Sequence, residues 1–269
     1  MRMATLLAFI LGGGVFVLAA VTSTKNPWIY LNAHAALVVF GGTFSAAAIS
    51  FGFDRLYALT KVLFRRILTG RKTHNPRQLI QEIMMLSEVY RSRPDSLRDS
   101  AKSVQDHFLK EALEMVSDNY LTKEDMVRLL MTRTNSIFQR YHEEAIKFKA
   151  LAKFPPAFGL MGAVLGMIGI MSELGTSGTT SAVGPSLALA LVGTLYGVAF
   201  ANLAILPLAE NLQDSAREVK AKNLMITEAI HLMLQKKNPI LMAEDLNSFL
   251  LANERLDWRQ VVQGIKGAA

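Results

Sequence analysis

The chain has 269 residues, is 51% hydrophobic with a mean hydropathy of +0.26, and carries a net charge of +7 with no cysteine. No disulfide framework is available and no Cys/His cluster has zinc spacing, so redox and structural-metal roles are unsupported and no cofactor is expected. Long apolar segments with a basic balance read as an all-α integral membrane protein, and no recognition motif accompanies the basic excess to point to nucleic acid.

The first apolar run, 4–21, is led by Arg2 and closed by the polar stretch 22–26. It is longer than a signal-peptide core, its leading region holds one Arg, and no convincing small-x-small cleavage site follows, so it reads as a retained helix. The second span, 31–53, is entered through Asn32 and His34 and carries Gly41, Gly42, Thr43 and Ser45 as a small-residue surface for close packing. His34 lies near the interface, where a solvated histidine is a plainer reading than a proton relay.

Residues 54–153 form a large polar insertion that reads as helical. Leu79, Ile83, Leu86 and Tyr90 repeat at three and four, as do Leu109, Leu113 and Val116, while Val127, Leu130, Thr134, Ile137 and Tyr141 continue the stripe. Thr122 with Asp125 reads as a capping box, and Pro76 and Pro94 mark breaks between elements. Arg91, Arg93, Arg98, Asp99 and Lys102 cluster in a polar stretch with Asp95, which is either a solvated surface or an electrostatic docking face for a cytoplasmic partner. No phosphate-cradling G-x-x-x-x-G-K-[ST] loop occurs, so ATP-driven transport is not supported and no enzymatic activity is expected.

Two further apolar segments, from Phe154 and from Pro185, form a hairpin over 154–208. Gly159, Gly162, Gly166 and Gly169 fall at three- and four-residue spacings, and Gly193 with Gly197 makes a small-xxx-small pair, so these helices are built to pack backbone against backbone. Thr194 shares a face with Gly197 and Ala201, and Asn202 lies about two turns on. These groups either serve a pore or a partner, or Thr194 back-bonds to its own helix. The only acid is Glu173, at the far end of the first segment. Ion-coupled work normally needs a titratable group near mid-bilayer, so either nothing flows or a partner brings the acid.

After Leu208 an amphipathic stripe through Leu212, Ala216, Val219, Asn223, Ile226, Ile230 and Leu234 extends the last span into the tail, 209–269. Nineteen of the 29 Lys and Arg lie in 54–153 and eight after Leu208, while the loop after the first span has only Lys25. Arg55, Lys61, Arg65, Arg66, Lys149 and Lys153 stand within reach of the membrane and place 54–153 and both termini in the cytoplasm. The expected layout is therefore spans one and two in 1–53, a cytoplasmic helical domain in 54–153, spans three and four in 154–208, and cytoplasmic helices in 209–269.

An ordered set of motifs resembles the MotA/PomA family of bacterial flagellar stator subunits, within the MotA/TolQ/ExbB superfamily. GGTF at 41–44, FLKEAL at 108–113, YHEE at 141–144, PAFG at 156–159, VGTLYG at 192–197, LPLAENL at 206–212 and NPILMAEDLNSFL at 238–250 carry the likeness over nearly the whole chain. ExbB and TolQ proteins resemble it in the third and fourth spans, but less in the first two and in the C-terminal segment.

The resemblance implies a homo-oligomeric ring, understood as a pentamer, in the bacterial inner membrane. It surrounds two copies of a MotB/PomB-type subunit whose single membrane helix brings the ion-binding aspartate. Ion flow would then drive the ring against the rotor protein FliG, in the service of motility and chemotaxis. By position, Pro156 and Pro207 match the family prolines tied to torque, while proline near a helix start is also well tolerated for its own sake. Sodium-driven relatives carry threonines where this chain has Ala163 and Gly193, with only Thr194 kept, and fewer oxygen ligands favour protons. Arg91 with Asp99 has the spacing of the family's rotor-facing charges. Pro94 departs from the pattern, and counting back from FLKEAL brings Arg98 to the acid's place, so Arg93 and Arg98 stay candidates too. The alternatives are an ExbB/TolQ-type energiser of outer-membrane processes and, in another class, a solute carrier or passive scaffold.

Overall fold

The computed structural model describes residues 2–54, 56–57, 61, 76–177 and 183–256, and every regular element among them is helical. Arg55, Arg65 and Arg66, the polar turn inside 154–208 at 178–182, and the end of the tail beyond 256 lie outside the described residues. The chain divides into two compact units, Met1–Arg71 with His142–Gln213, and Lys72–Tyr141 with Asp214–Ala269.

The first unit holds the apolar helices. Helix α1 spans Arg2–Ser23, and a 3-10 turn follows at Pro27–Tyr30. Helix α2, Ala33–Ala36, begins where the Asn32 side chain accepts the Ala35 N–H at 3.0 Å, satisfying an amide that the first turn leaves without a partner. The predicted entry through Asn32 is thus an N-cap, while His34 is exposed. The backbone then widens into a π turn at Leu37–Gly41, continues as α3, Gly42–Phe51, and stops because Gly52 takes φ +78°.

Helices α8, Phe154–Ser177, and α9, Val183–Ala199, form the predicted hairpin, and a second π turn follows α9 at Phe200–Ile205. A small buried cluster of Ala47, Ala48, Phe148, Leu151, Ile205 and Ala209 ties these elements together, with Phe154 and Phe200 packed against it. Pro27–Phe51, Lys123–Gly175 and Val183–Leu234 are helical stretches long and apolar enough to cross a bilayer. Helix α1 is a 22-residue apolar helix, and the four-span layout with α1 as the first span is an expectation from the sequence.

The second unit is built from α4, Pro76–Ser92; a 3-10 turn, Pro94–Ser96; α5, Leu97–Ala101; α6, His107–Asp118; most of α7, Lys123–Ala150; the later part of α10, Leu206–Leu234; and α11, Pro239–Asn247. Pro76 and Pro94 open their elements, where a missing N–H does no harm. Helix α7 starts at the predicted box: the Asp125 N–H donates to the Thr122 hydroxyl at 3.1 Å, and that hydroxyl donates to the Asp125 carboxylate at 2.7 Å.

The predicted stripes form one core. Leu79, Ile83 and Leu86 of α4, Leu109, Leu113 and Val116 of α6, Leu130 of α7, and Ile226 and Ile230 of α10 are all buried in it. Tyr141, placed on the stripe by periodicity, is exposed. Asp106 caps α6 by accepting the Phe108 and Leu109 N–H groups at 3.0 and 3.1 Å, and its other oxygen accepts from the Lys222 ammonium of α10. A buried carboxylate is thereby both hydrogen-bonded and neutralised.

Candidate functional site at the seam of the apolar hairpin

Helices α8 and α9 meet along the glycines. A Cβ on Gly159 would stand 2.8 Å from the Gly193 carbonyl oxygen and 3.1 Å from Thr194 Cα, and one on Gly166 would come within 2.8 Å of Ala190 Cβ. Real Cβ contacts are not that short, so only glycine permits this backbone separation. Further along, a Cβ on Gly197 would meet the Pro155 carbonyl carbon at 2.9 Å and Pro156 Cα at 3.1 Å. Dispersion between close backbones replaces the hydrophobic force that lipid does not supply.

Thr194 sits on this seam. Its hydroxyl donates to the Ala190 carbonyl of its own helix at 3.1 Å and lies 3.4 Å from the Gly159 carbonyl of the facing one. Back-bonding is therefore present, and the same oxygen reaches across the seam. Gly193 is buried, and a Cβ there would lie 3.6 Å from the Gly159 carbonyl oxygen. Ala163 is half-buried one residue beyond Gly162, and Pro156 is half-buried in the first turn of α8. Pro155 and Pro156 follow a 3-10 turn at Leu151–Lys153 that joins α7 to α8, so the missing N–H groups fall where the hydrogen-bond ladder changes span.

Pro207 is exposed, ten residues beyond Gly197, and does not join the seam. It follows the π turn, in which the Leu206 N–H donates to the Ala201 carbonyl, five residues back. A proline ring crowds the carbonyl four residues earlier, and a widened turn makes room for it. Asn202 is likewise exposed, with its amide donating to the Val198 carbonyl at 2.9 Å.

Sequence reasoning missed the contacts that hold the second span on the seam. The Tyr196 hydroxyl donates to the Tyr30 carbonyl and accepts the Asn32 N–H at 3.4 Å. Phe40 of the first π turn stands edge-on to Phe200 of the second at 5.0 Å between centroids. A Cβ on Gly42 would run into the Phe158 ring, which explains the second glycine of GGTF. Only that glycine pair and the aromatic at 196 could have signalled these contacts. Glu173 is half-buried and accepts from the Ser186 hydroxyl at 3.5 Å.

The charged candidates lie in the second unit. Arg98 pairs with Asp118 at 3.6 Å and Asp99 with Lys102 at 2.8 Å. The Lys102 hydrogen bond and charge, with a smaller contribution from Arg98, hold the Asp99 carboxyl below its ordinary value. Arg91 and Arg93 are exposed and make no ion pair among the described residues. No group of three or more potential metal ligands occurs among the described residues.

Glycine-packed apolar helices joined to a helical polar unit define a multi-pass α-helical membrane protein. The profile of the MotA/TolQ/ExbB proton channel family matches residues 100–223. The chain is 26% identical to Motility protein A of Borreliella burgdorferi over 98% of its own length and 100% of the relative's. It is 23% identical to the chemotaxis protein PomA of Vibrio alginolyticus over 95% and 98%. In fold it is similar to the chain of the C. jejuni MotAB structure, with a TM-score of 0.85 at 22% identity over 96% of this chain and 99% of that one. The flagellar MotAB stator complex from Bacillus subtilis gives 0.82 at 22% identity over 93% and 96%. The chain is thus similar to this family over residues 100–223, and to motility protein A sequences along nearly its whole length.

Proposed function

We propose that this chain is the ring subunit of a flagellar motor stator, which couples ion flow across the bacterial inner membrane to torque on a rotor together with a MotB-type partner. The observation that carries this reading is the likeness to Motility protein A along the whole of both chains. The absence of any acid in 154–208 except Glu173 agrees with it, because the ion-carrying carboxylate is then the partner's.

In this reading the chain crosses the membrane four times with both termini in the cytoplasm, and five copies enclose two of the partner. The cytoplasmic parts are 54–153 and 209–269. The glycine seam locks spans three and four into one body, so a push on either is transmitted to both. Thr194, with Ala163 and Gly193 beside it, lies on the ion side, and few oxygen ligands select protons over sodium. Pro156 and Pro207 fix the geometry of the two spans where they leave the membrane. Charges at Arg91, Arg93, Arg98 and Asp99 meet FliG and set register and encounter rate more than affinity.

The test is the swimming speed of cells relying on this chain and its partner, measured against external sodium at fixed pH and again with a protonophore. Indifference to sodium and collapse with the protonophore is the expected result. A rise with sodium keeps the stator and overturns the ion. A chain that never supports swimming overturns the stator in favour of an ExbB/TolQ-type energiser.

A further inference from the structure

The far end of the apolar hairpin holds an ionisable group to which the stator reading gives no task. The segment 154–208 contains no Lys, Arg or His, and Glu173 is its one acid. A carboxylate set among apolar residues is costly, and in membrane segments such groups stand where they serve ion traffic. Glu173 lies four residues beyond Gly169, in the row of Gly159, Gly162 and Gly166, and so on the strip of α8 that faces α9. It is half-buried and accepts from the Ser186 hydroxyl of α9 at 3.5 Å. A Cβ on Gly169 would stand 2.9 Å from that Ser186 oxygen, so the glycine leaves the room in which the hydroxyl sits.

Packing alone does not account for this acid. A contact of 3.5 Å is at the long limit of a hydrogen bond and adds little to helices that glycines already hold together from Gly159 to Gly169. Helix ends do not call for it either, since the last turns of α8 disfavour negative charge where the first turn of α9 favours it. What the position supplies is alignment. Ser186, Ala190 and Thr194 follow in steps of four on α9, and each faces α8: Ser186 meets Glu173, Ala190 lies against Gly166, and the Thr194 hydroxyl reaches the Gly159 carbonyl. Eight residues of helix, about 12 Å, separate Ser186 from Thr194. The acid therefore stands at the head of the strip whose middle carries Thr194. The elements packed most closely on α8 bring two other ionisable groups, Lys153 at its opposite end and the Tyr196 phenol, which donates to the Tyr30 carbonyl. Lys25 and His34, ahead of and within the start of the second span, are exposed.

Resting on the stator reading, in which this end of the hairpin faces away from the cytoplasm, we propose that Glu173 is a proton-collecting carboxylate at the outer mouth of the ion path. It takes a proton from external water onto a carboxylate oxygen and releases it to water inside the path, on the way to the partner's acid. Glu173 returns to its ionised form, so one proton enters for each one passed on. A fixed negative charge at a mouth with apolar walls raises the local concentration of protons and their rate of capture. That advantage is largest where protons are scarce.

The test uses cells that depend on this chain and its partner, with Glu173→Gln and Glu173→Asp made separately. Gln keeps the shape and the hydrogen-bond acceptor but cannot carry a proton, whereas Asp keeps the acid. Two readouts are taken: recovery of the membrane complex with the partner, and swimming speed relative to the parent at mildly acidic and at mildly alkaline external pH. Glu173→Gln is expected to assemble within twofold of the parent, to lose at least threefold in speed at alkaline pH, and to lose less than half as much at acidic pH. Glu173→Asp should keep at least half the parental speed at both. Parental swimming of Glu173→Gln at alkaline pH overturns the collector and leaves the stator standing. An equal loss at both pH values, or loss of assembly in both variants, makes the residue structural and also overturns it. A parent chain that supports no swimming at either pH overturns the stator reading itself.

Discussion

Gly197 of one apolar helix rests on Pro155 of the other so closely that an added Cβ would stand 2.9 Å from the Pro155 carbonyl carbon. Neither partner is free to yield, because the obstacle is main chain at the start of a helix. Gly197→Ala should therefore lower stability in detergent by about 1–3 kcal/mol, the usual effect of overpacking. Gly12→Ala, where a Cβ meets nothing within 4 Å, should not. Thermal unfolding of the two purified variants checks this.

A second prediction concerns function at the same seam. Thr194→Val removes the hydroxyl that lies on Ala190 and Gly159 but keeps the volume. If the residue serves the ion path, swimming should fall several-fold while the complex still assembles. Pro156→Ala should do the same without unfolding, since alanine is well accepted in a helix. Unchanged swimming in both variants would leave the two residues as packing alone.

In the second unit, Asp106 holds the start of α6 and the ammonium of Lys222 together. Asp106→Ala should cost about 3–5 kcal/mol, as removal of one partner from a buried pair does. Asp106→Asn keeps an N-cap acceptor and should lose less, by about 1 kcal/mol. Denaturant unfolding of the purified protein separates the two contributions.

The Asn247 side chain donates to the Leu256 carbonyl and accepts its N–H, both at 2.9 Å, and so fastens the segment that follows α11. Asn247→Ala should cost about 1–3 kcal/mol, since two bonds are lost. Amide exchange should quicken at Leu256 while α6 stays protected.

Lys236→Gly gives a prediction of opposite sign. Lys236 ends α10 with φ +53°, and relief of this left-handed strain should raise stability by about 1 kcal/mol. Thermal unfolding of the purified variant beside the parent checks this.

Much of this fold was legible because local chemistry and periodicity agreed. Asn32 and Thr122 are caps because short polar side chains reach the first amides, and the spacing of Leu109, Leu113 and Val116 leaves them one face to bury. The glycines of the hairpin announced close packing because no other residue permits it. What pairs across distance was not legible. Nothing near Tyr196 in sequence indicates Tyr30, and nothing near Asp106 indicates Lys222. The π turns were hidden as well, since a change in hydrogen-bond span leaves composition untouched.

The wide turn at Phe200–Ile205 has a geometric consequence. Gly197, Ala201, Ile205 and Ala209 are all buried, although they follow one another in steps of four. In an α-helix each such step overshoots a full rotation by about 40°, so three would carry the last residue about 120° around the axis. A turn that spends more residues per revolution absorbs that drift and keeps the four in one line. The segment works as a phase corrector: deleting a single residue from it would rotate everything up to Ala209 out of line with the glycines before it.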